Sequence, residues 1–331
     1  MYRIAQVSAK ERENLFIAAA NKMNIKSAII EKDFWVCFTL DYLFHKSKWK
    51  DAFVFKGGTS LSKAYNLIER FSEDIDLILD WRVLGYKINE PWEERSNTKQ
   101  QVFLEEARNR LFAFLKNEFA PIFKADLKNY IEDDYDVYID DNDSGVVCFA
   151  YPRTFSSDVI LNEIRLEIGA MAAFTPTQKA IITPYLAQCY PQVFDLQNTE
   201  ILTTTPERTF WEKATILHQE AHRPETSKIP LRYSRHYYDL YCMANTSTKN
   251  QAISNPDLLE KVTEFKRKFY PRGWARYDLA KFGTLKLSPA KHSIPVLKED
   301  YKNMQSMIYG DYPSFDEILE TIEKLEKEIN S

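Results

Sequence analysis

The sequence predicts an α+β protein, in which a mixed β-sheet flanked by helices is followed by a C-terminal helical lobe. Three observations predict this. Short apolar segments with period-two alternation punctuate the first 200 residues, and amphipathic helical stretches lie between them. After Thr204 the helical period dominates. The change of character near 195–204 places the lobes at 1–200 and 201–331, and the absence of a Gly/Ser-rich or Pro-rich linker there leads to the expectation that they pack closely.

The elements follow in order. The first 45 residues read as two helices, with Ser8 and Glu11 spaced for a capping box and Ile30, Phe34, Phe38 and Tyr42 at i, i+4. Asp51–Phe55 is a short apolar strand ended by Gly57-Gly58. A helix carrying Leu61, Ala64, Leu67 and Ile68 comes next. Glu73–Leu79 is a strand with its acids in alternation, and Gln101–Phe119 is a long amphipathic helix. Strands at Tyr135–Ile139 and Val146–Tyr151 flank the polar turn Asp140–Gly145, as in a hairpin. Val159–Ile168 is a further strand, with Ile164, Leu166 and Ile168 on one face and Glu163, Arg165 and Glu167 on the other. Thr204-Thr205-Pro206-Glu207 starts the helical part in capping-box style, and Ser314 with Glu317 opens its last helix.

Composition excludes several classes. With 44% hydrophobic and 28% charged residues the chain is globular rather than disordered, and 14% aromatics predict a ring-filled core. No apolar run approaches the roughly 20 residues of a membrane helix, and the first residues lack a signal-peptide core, so a cytoplasmic protein without a membrane role is expected. Cys37, Cys148, Cys189 and Cys242 form no CxxC pair, which excludes a zinc knuckle and reads as reduced thiols. A net charge of −4 conceals one basic stretch, Lys261–Lys302, with 11 Lys/Arg against 4 Asp/Glu.

Few residues can carry chemistry. Gly57-Gly58, in Lys56-Gly-Gly-Thr59-Ser60, sits between a strand and a helix, where bare main chain can approach a phosphate. Alone, the dipeptide reads equally well as a tight turn. Asp74 and Asp76 share one strand face about 7 Å apart, a spacing that suits a divalent cation. An isolated Asp-x-Asp is usually a solvated face, but this pair follows the glycine turn and leads into the apolar run Leu77-Ile78-Leu79. Arg70 and Ser72 just before it are phosphate-type donors. Glu167 is a third acid if its strand lies beside that of Asp74 and Asp76, with cross-strand pairing to Arg165 as the other reading. Lys213 suits a point charge on a triphosphate or a snorkelling side chain. Arg235 and Asp239 are spaced for a helix-surface ion pair. His218 and His222 lack a third zinc ligand and read as a helix surface. The rings among the Lys261–Lys302 cations suit RNA, or a solvated helix with a ring core.

The run Phe53-Val-Phe-Lys-Gly-Gly-Thr-Ser-Leu-Ser-Lys-Ala-Tyr65, followed by Glu69-Arg-Phe-Ser-Glu-Asp-Ile-Asp-Leu77, resembles the AbiEii/AbiGii toxin family of the DNA polymerase β-like nucleotidyltransferase superfamily. Ile30–Val36, Arg165–Ile168, Glu212-Lys213 and Arg235–Asp239 fit the same pattern. The resemblance implies a nucleotidyltransferase-type sheet and transfer of NMP from an NTP to an acceptor hydroxyl, with RNA, including the tRNA 3′ end, as the preferred acceptor. It implies that Gly57, Gly58, Thr59 and Ser60 hold phosphates, with Arg70 and Ser72 beside them. It further implies that Asp74, Asp76 and Glu167 bind Mg2+ or Mn2+, that Lys213 faces the triphosphate, and that Asp239 orders the active site. A separately encoded antitoxin is the implied partner. A catalytically silent nucleotide- or partner-binding module, or transfer to a protein or small-molecule hydroxyl, is the alternative.

Overall fold

The computed structural model describes residues 1–72, 74–156, 160–171, 175–308 and 312–331. Glu73 and Val159, which the sequence places in strands, lie outside the described residues. The chain divides into two compact units, one of residues 1–64 and 72–203, the other of residues 65–71 and 204–331.

The first unit contains α1 (Tyr2–Gln6), α2 (Ala9–Met23), α3 (Ser27–His45), β1 (Phe53–Lys56), α4 (Gly57–Lys63), β2 (Asp74–Leu79), α5 (Asn97–Phe114), α6 (Ala120–Leu127), β3 (Asp136–Ile139), β4 (Val146–Ala150), β5 (Ile164–Gly169), β6 (Thr177–Ile182), α7 (Tyr185–Cys189) and β7 (Thr199–Thr204). Its strands form one mixed sheet in the order β3-β4-β5-β2-β1-β7-β6. β2 pairs antiparallel with β1 and parallel with β5, so the strand with the two aspartates is interior. The β3–β4 hairpin is antiparallel, as its polar turn predicts.

Local chemistry explains most boundaries. Ser8 and Glu11 close the capping box of α2 in both directions. The core is ring-filled: Trp35 meets Phe34, Phe38, Phe149 and Tyr151, and Phe119 meets Trp49, Phe53 and Phe123. Such pairs contribute about 0.5–1.5 kcal/mol each beyond their buried area. The expected helix ending at Phe119 runs further. A π-helical turn at Leu115–Phe119, in which the Ala120 amide bonds to the Leu115 carbonyl, carries α5 into α6, and Pro121, which has no N–H to donate, follows this widened turn.

Two expectations are corrected. The helix after Gly57-Gly58 stops at Lys63, with Asn66 in the left-handed region at φ 52°, so Leu67 and Ile68 are not helical. Residues 65–71 belong to the second unit, where Arg70 bridges Ile308 and the Phe71 amide donates to the Met307 carbonyl at 2.7 Å. Tertiary burial overrides the helical period there. The cap of the helix at Pro206 also differs. Thr205 accepts from the Arg208 amide, so Glu207 stands one residue too early to close the box.

The second unit contains α8 (Pro206–Ala221), α9 (Ser234–Ala244), α10 (Ser247–Ile253), α11 (Pro256–Phe269), α12 (Ile294–Met304) and α13 (Phe315–Asn330). Ser314 and Glu317 form the expected box on α13, whose Ile318, Ile322, Leu325 and Ile329 are buried. His218 is not on a surface; it is fully buried. Its Nδ1 accepts from the Lys286 amide at 3.0 Å, so Nε2 carries the proton and faces the Arg276 carbonyl at 2.9 Å. Burial holds this ring neutral and pushes its pKa down to about 4 from 6.5. Its contribution to stability is therefore complete above pH 6.5 and is lost as pH falls through about 4. The full loss is about 3 kcal/mol. NMR titration of the His218 ring should show a midpoint near 4, and a midpoint near 6.5 contradicts the buried neutral role.

Candidate active site

One face of the sheet in the first unit gathers the acids. Side chains two apart on a strand, or directly paired across neighbouring strands, share a face. Asp74 and Asp76 lie on the same face of β2, and in the parallel β2–β5 pair Asp76 stands opposite Glu167 and Asp74 opposite Arg165. Asp74 and Asp76 are half-buried, and Glu167 is exposed. The third acid is thus beside the first two through long-range strand pairing alone.

Gly57 makes room for this face. It begins α4 with φ +80°, and a Cβ built on it would lie 1.9 Å from Asp76 Oδ2 and 2.5 Å from its Cγ. The Asp76 carboxylate therefore occupies the space that any other residue would fill. The hydroxyls after it turn inward. Ser60 donates to the Gly57 carbonyl at 2.8 Å, and Thr59 contacts the Ser72 hydroxyl and the Asp74 carbonyl. Both residues are fully buried. Thr59 and Ser72 thereby tie α4 to the start of β2.

Among the described residues, the group of metal-ligand atoms that all lie within 4.8 Å of one another is a different one, Asp140, Cys148 and Glu163. It already holds a cation. The Arg165 guanidinium bonds Asp140 at 2.6 Å and Glu163 at 3.2 Å, and Tyr138 donates to Glu163. Arg165 thus pairs with these acids toward β4, on the face it shares with Asp74 and Glu167.

The second unit brings together residues far apart in sequence. Arg70 grips Asp239 with two bonds, Nε to Oδ1 at 2.7 Å and a terminal nitrogen to Oδ2 at 2.9 Å. Lys213 Nζ meets the same Oδ2 at 2.8 Å and the His236 Nδ1 at 3.2 Å. All four residues are buried. Asp239 is therefore paired with Arg70 and Lys213, while the i, i+4 ion pair with Arg235 is not what holds it. Burial alone would raise the Asp239 carboxyl, but the two cations outweigh it and hold it well below the ordinary range. Burial lowers Lys213, and Asp239 only partly restores it because it is shared with a guanidinium that keeps its proton. Burial and the charge of Lys213 keep His236 neutral, so its Nδ1 can accept from the lysine. Nothing in the local spacing signals His236; its role follows from packing alone. Replacing Asp239 by Asn should leave both cations buried without a counter-charge and destabilise this unit by about 3–5 kcal/mol. A change in the chemical denaturation midpoint equivalent to less than about 1 kcal/mol would show that the pairs do not carry that weight.

The three acids on this face, on adjacent strands, offer carboxylate oxygens only, the donor type that hard divalent cations such as Mg2+ and Mn2+ take, and Asp76 is seated in the space that Gly57 leaves open.

A mixed sheet with paired acids on an interior strand, reached from a neighbouring strand through a glycine turn and a short helix, is the arrangement that the resemblance to nucleotidyltransferases leads one to expect. The model of the family described as nucleotidyl transferase AbiEii toxin, type IV TA system, matches residues 41–321, and the chain belongs to that family. Its members are nucleotidyltransferase toxins. Among solved structures, MenT4, a nucleotidyltransferase toxin from Mycobacterium tuberculosis, is similar over 96% of this chain and 99% of its own, at 14% identity and a TM-score of 0.45. JHP933 from Helicobacter pylori is similar over 98% of both chains, at 14% identity and a TM-score of 0.30. No curated protein sequence matches the chain. No helix among the described residues is long and apolar enough to cross a membrane.

Proposed function

We propose that the chain transfers a nucleoside monophosphate from an NTP to a hydroxyl of RNA, the tRNA 3′ end being one acceptor of that class. The acceptor oxygen forms a bond to the α-phosphorus, the bond from that phosphorus to the bridging oxygen breaks, and pyrophosphate leaves with the electron pair. The observation that carries this reading is the register of Asp76 against Glu167, with Asp76 seated on Gly57.

Asp74, Asp76 and Glu167 would hold Mg2+ or Mn2+, which when bound lowers the pKa of a coordinated hydroxyl and neutralises developing phosphate charge. Glu167, the exposed member, is suited to accept the proton of the attacking hydroxyl. With the Thr59 and Ser60 hydroxyls turned inward, the main chain of Gly57 and Gly58 is what the turn offers a phosphate. Lys213 and Asp239 enter as the resemblance assigns them: the lysine faces the triphosphate, and the acid, paired with Arg70 and Lys213, helps order the active site. The acceleration then comes from positioning and electrostatics.

The basic segment supports an RNA acceptor through its charges more than its rings. Phe265, Phe269, Tyr277 and Tyr301 are core residues, whereas Tyr270 is half exposed and Arg267, Arg272 and Lys281 are exposed. Membership of a type IV toxin–antitoxin family implies an antitoxin partner.

Incubating the chain with each labelled NTP, Mg2+ and total RNA tests the proposal. Label should enter RNA from one or more nucleotides. Label that appears equally with RNA omitted would redirect the reading to a protein or small-molecule hydroxyl, and no transfer from any nucleotide would refute it.

A further inference from the structure

Helix α3 is buried on all sides and yet carries three consecutive charges, Glu31, Lys32 and Asp33, none more than 3% exposed. Successive helical residues point about 100° apart, so the three reach different neighbours. Asp33 pairs with Lys63 at the end of α4 and accepts from the Tyr185 amide at 2.6 Å. Glu31 accepts the amides of Thr154 at 2.7 Å and Phe155 at 3.1 Å. Lys32 donates to the carbonyls of Leu161 at 2.8 Å and Glu163 at 2.7 Å. A carboxylate and an ammonium on adjacent residues thus take the two ends of the connection from β4 to β5, each matched to the main-chain group it meets.

We propose that Glu31 and Lys32 are positioning residues for Glu167, which deepens the reading of the acidic face and rests on it. Lys32 holds the residue immediately before β5, four positions ahead of Glu167. A strand that slips by one residue turns every side chain to its other face. Fixing the start of β5 therefore fixes the side on which the third carboxylate stands. Buried charges are unfavourable unless fully bonded, and here the bonds go to main chain whose placement decides the register.

The test uses the full-length chain and direct Mn2+ binding, read from the electron paramagnetic resonance signal of free Mn2+, for the parent, Lys32→Met, Glu31→Gln and Asp76→Asn. Hydrogen exchange over 160–169 is measured on the same samples. Lys32→Met and Glu31→Gln should each weaken Mn2+ binding by about tenfold or more, the range seen when supports of metal ligands are removed. Exchange should accelerate over 160–169. A folded variant with parental Mn2+ affinity and parental exchange overturns the proposal. If Lys32→Met does not fold, the isosteric Glu31→Gln decides by the same two readouts. If Asp76→Asn binds Mn2+ like the parent, it is the acidic-face reading that fails, and exchange over 160–169 still reports on the clamp.

Discussion

Replacing Asp76 by asparagine should lower NTP-dependent labelling by about 10³-fold or more, a loss of about 4 kcal/mol of transition-state stabilisation. The chain should remain folded. Asp76 is half-buried at the sheet face, and asparagine fits the same space against Gly57. What disappears is the negative charge at the centre of the acidic face, between Asp74 on its own strand and Glu167 on the next. The measurement is the initial rate of transfer at saturating Mg2+ and NTP, with circular dichroism to establish that the fold survives. A folded variant that labels as fast as the parent would remove Asp76 from the metal set and with it the proposed chemistry.

Gly57→Ala should reduce the rate by about 10²-fold or more, an effect the size of losing one aligned electrostatic group. Two physical effects combine. At φ +80° an L-residue is strained by about 1–2 kcal/mol. In addition, a Cβ 1.9 Å from Asp76 Oδ2 forces that carboxylate to move. Gly85→Ala separates the two effects. Gly85 has φ +85°, but its nearest neighbour to a built Cβ is the Arg110 guanidinium at 3.7 Å. It should show a similar loss of thermal stability and keep the parental transfer rate. Equal rate losses in the two variants would mean that backbone strain, and not the seat of Asp76, limits activity.

The site is partly legible in the sequence alone. Alternating acids between apolar residues identify β2 and the common face of Asp74 and Asp76, because a pleated strand has a period of two. The glycine pair marks the strand-to-helix turn, although the reason Gly57 must be glycine lies in a carboxylate 19 positions away. His218 and Arg235 illustrate the opposite case. Local spacing suggests a surface histidine and a surface ion pair, whereas burial and long-range partners decide both. The helix expected through Ile68 fails similarly, since nothing local shows that residues 65–71 pack with residues 204–331.

What the sequence by itself determined is the existence of strands β1 to β5, the caps at Ser8 and Ser314, the strand face of the paired aspartates and the family motifs, all of which depend on neighbours within a few residues, whereas β6 and β7 carry no such local signal. Tertiary structure alone decided that β5 lies beside β2, that Arg70 grips an acid 169 residues further along, and that Glu31 and Lys32 hold the ends of the β4–β5 connection. Strand pairing and buried ion pairs join groups whose separation along the chain has no characteristic period. Their partners are selected by packing and by the requirement that every buried charge be bonded.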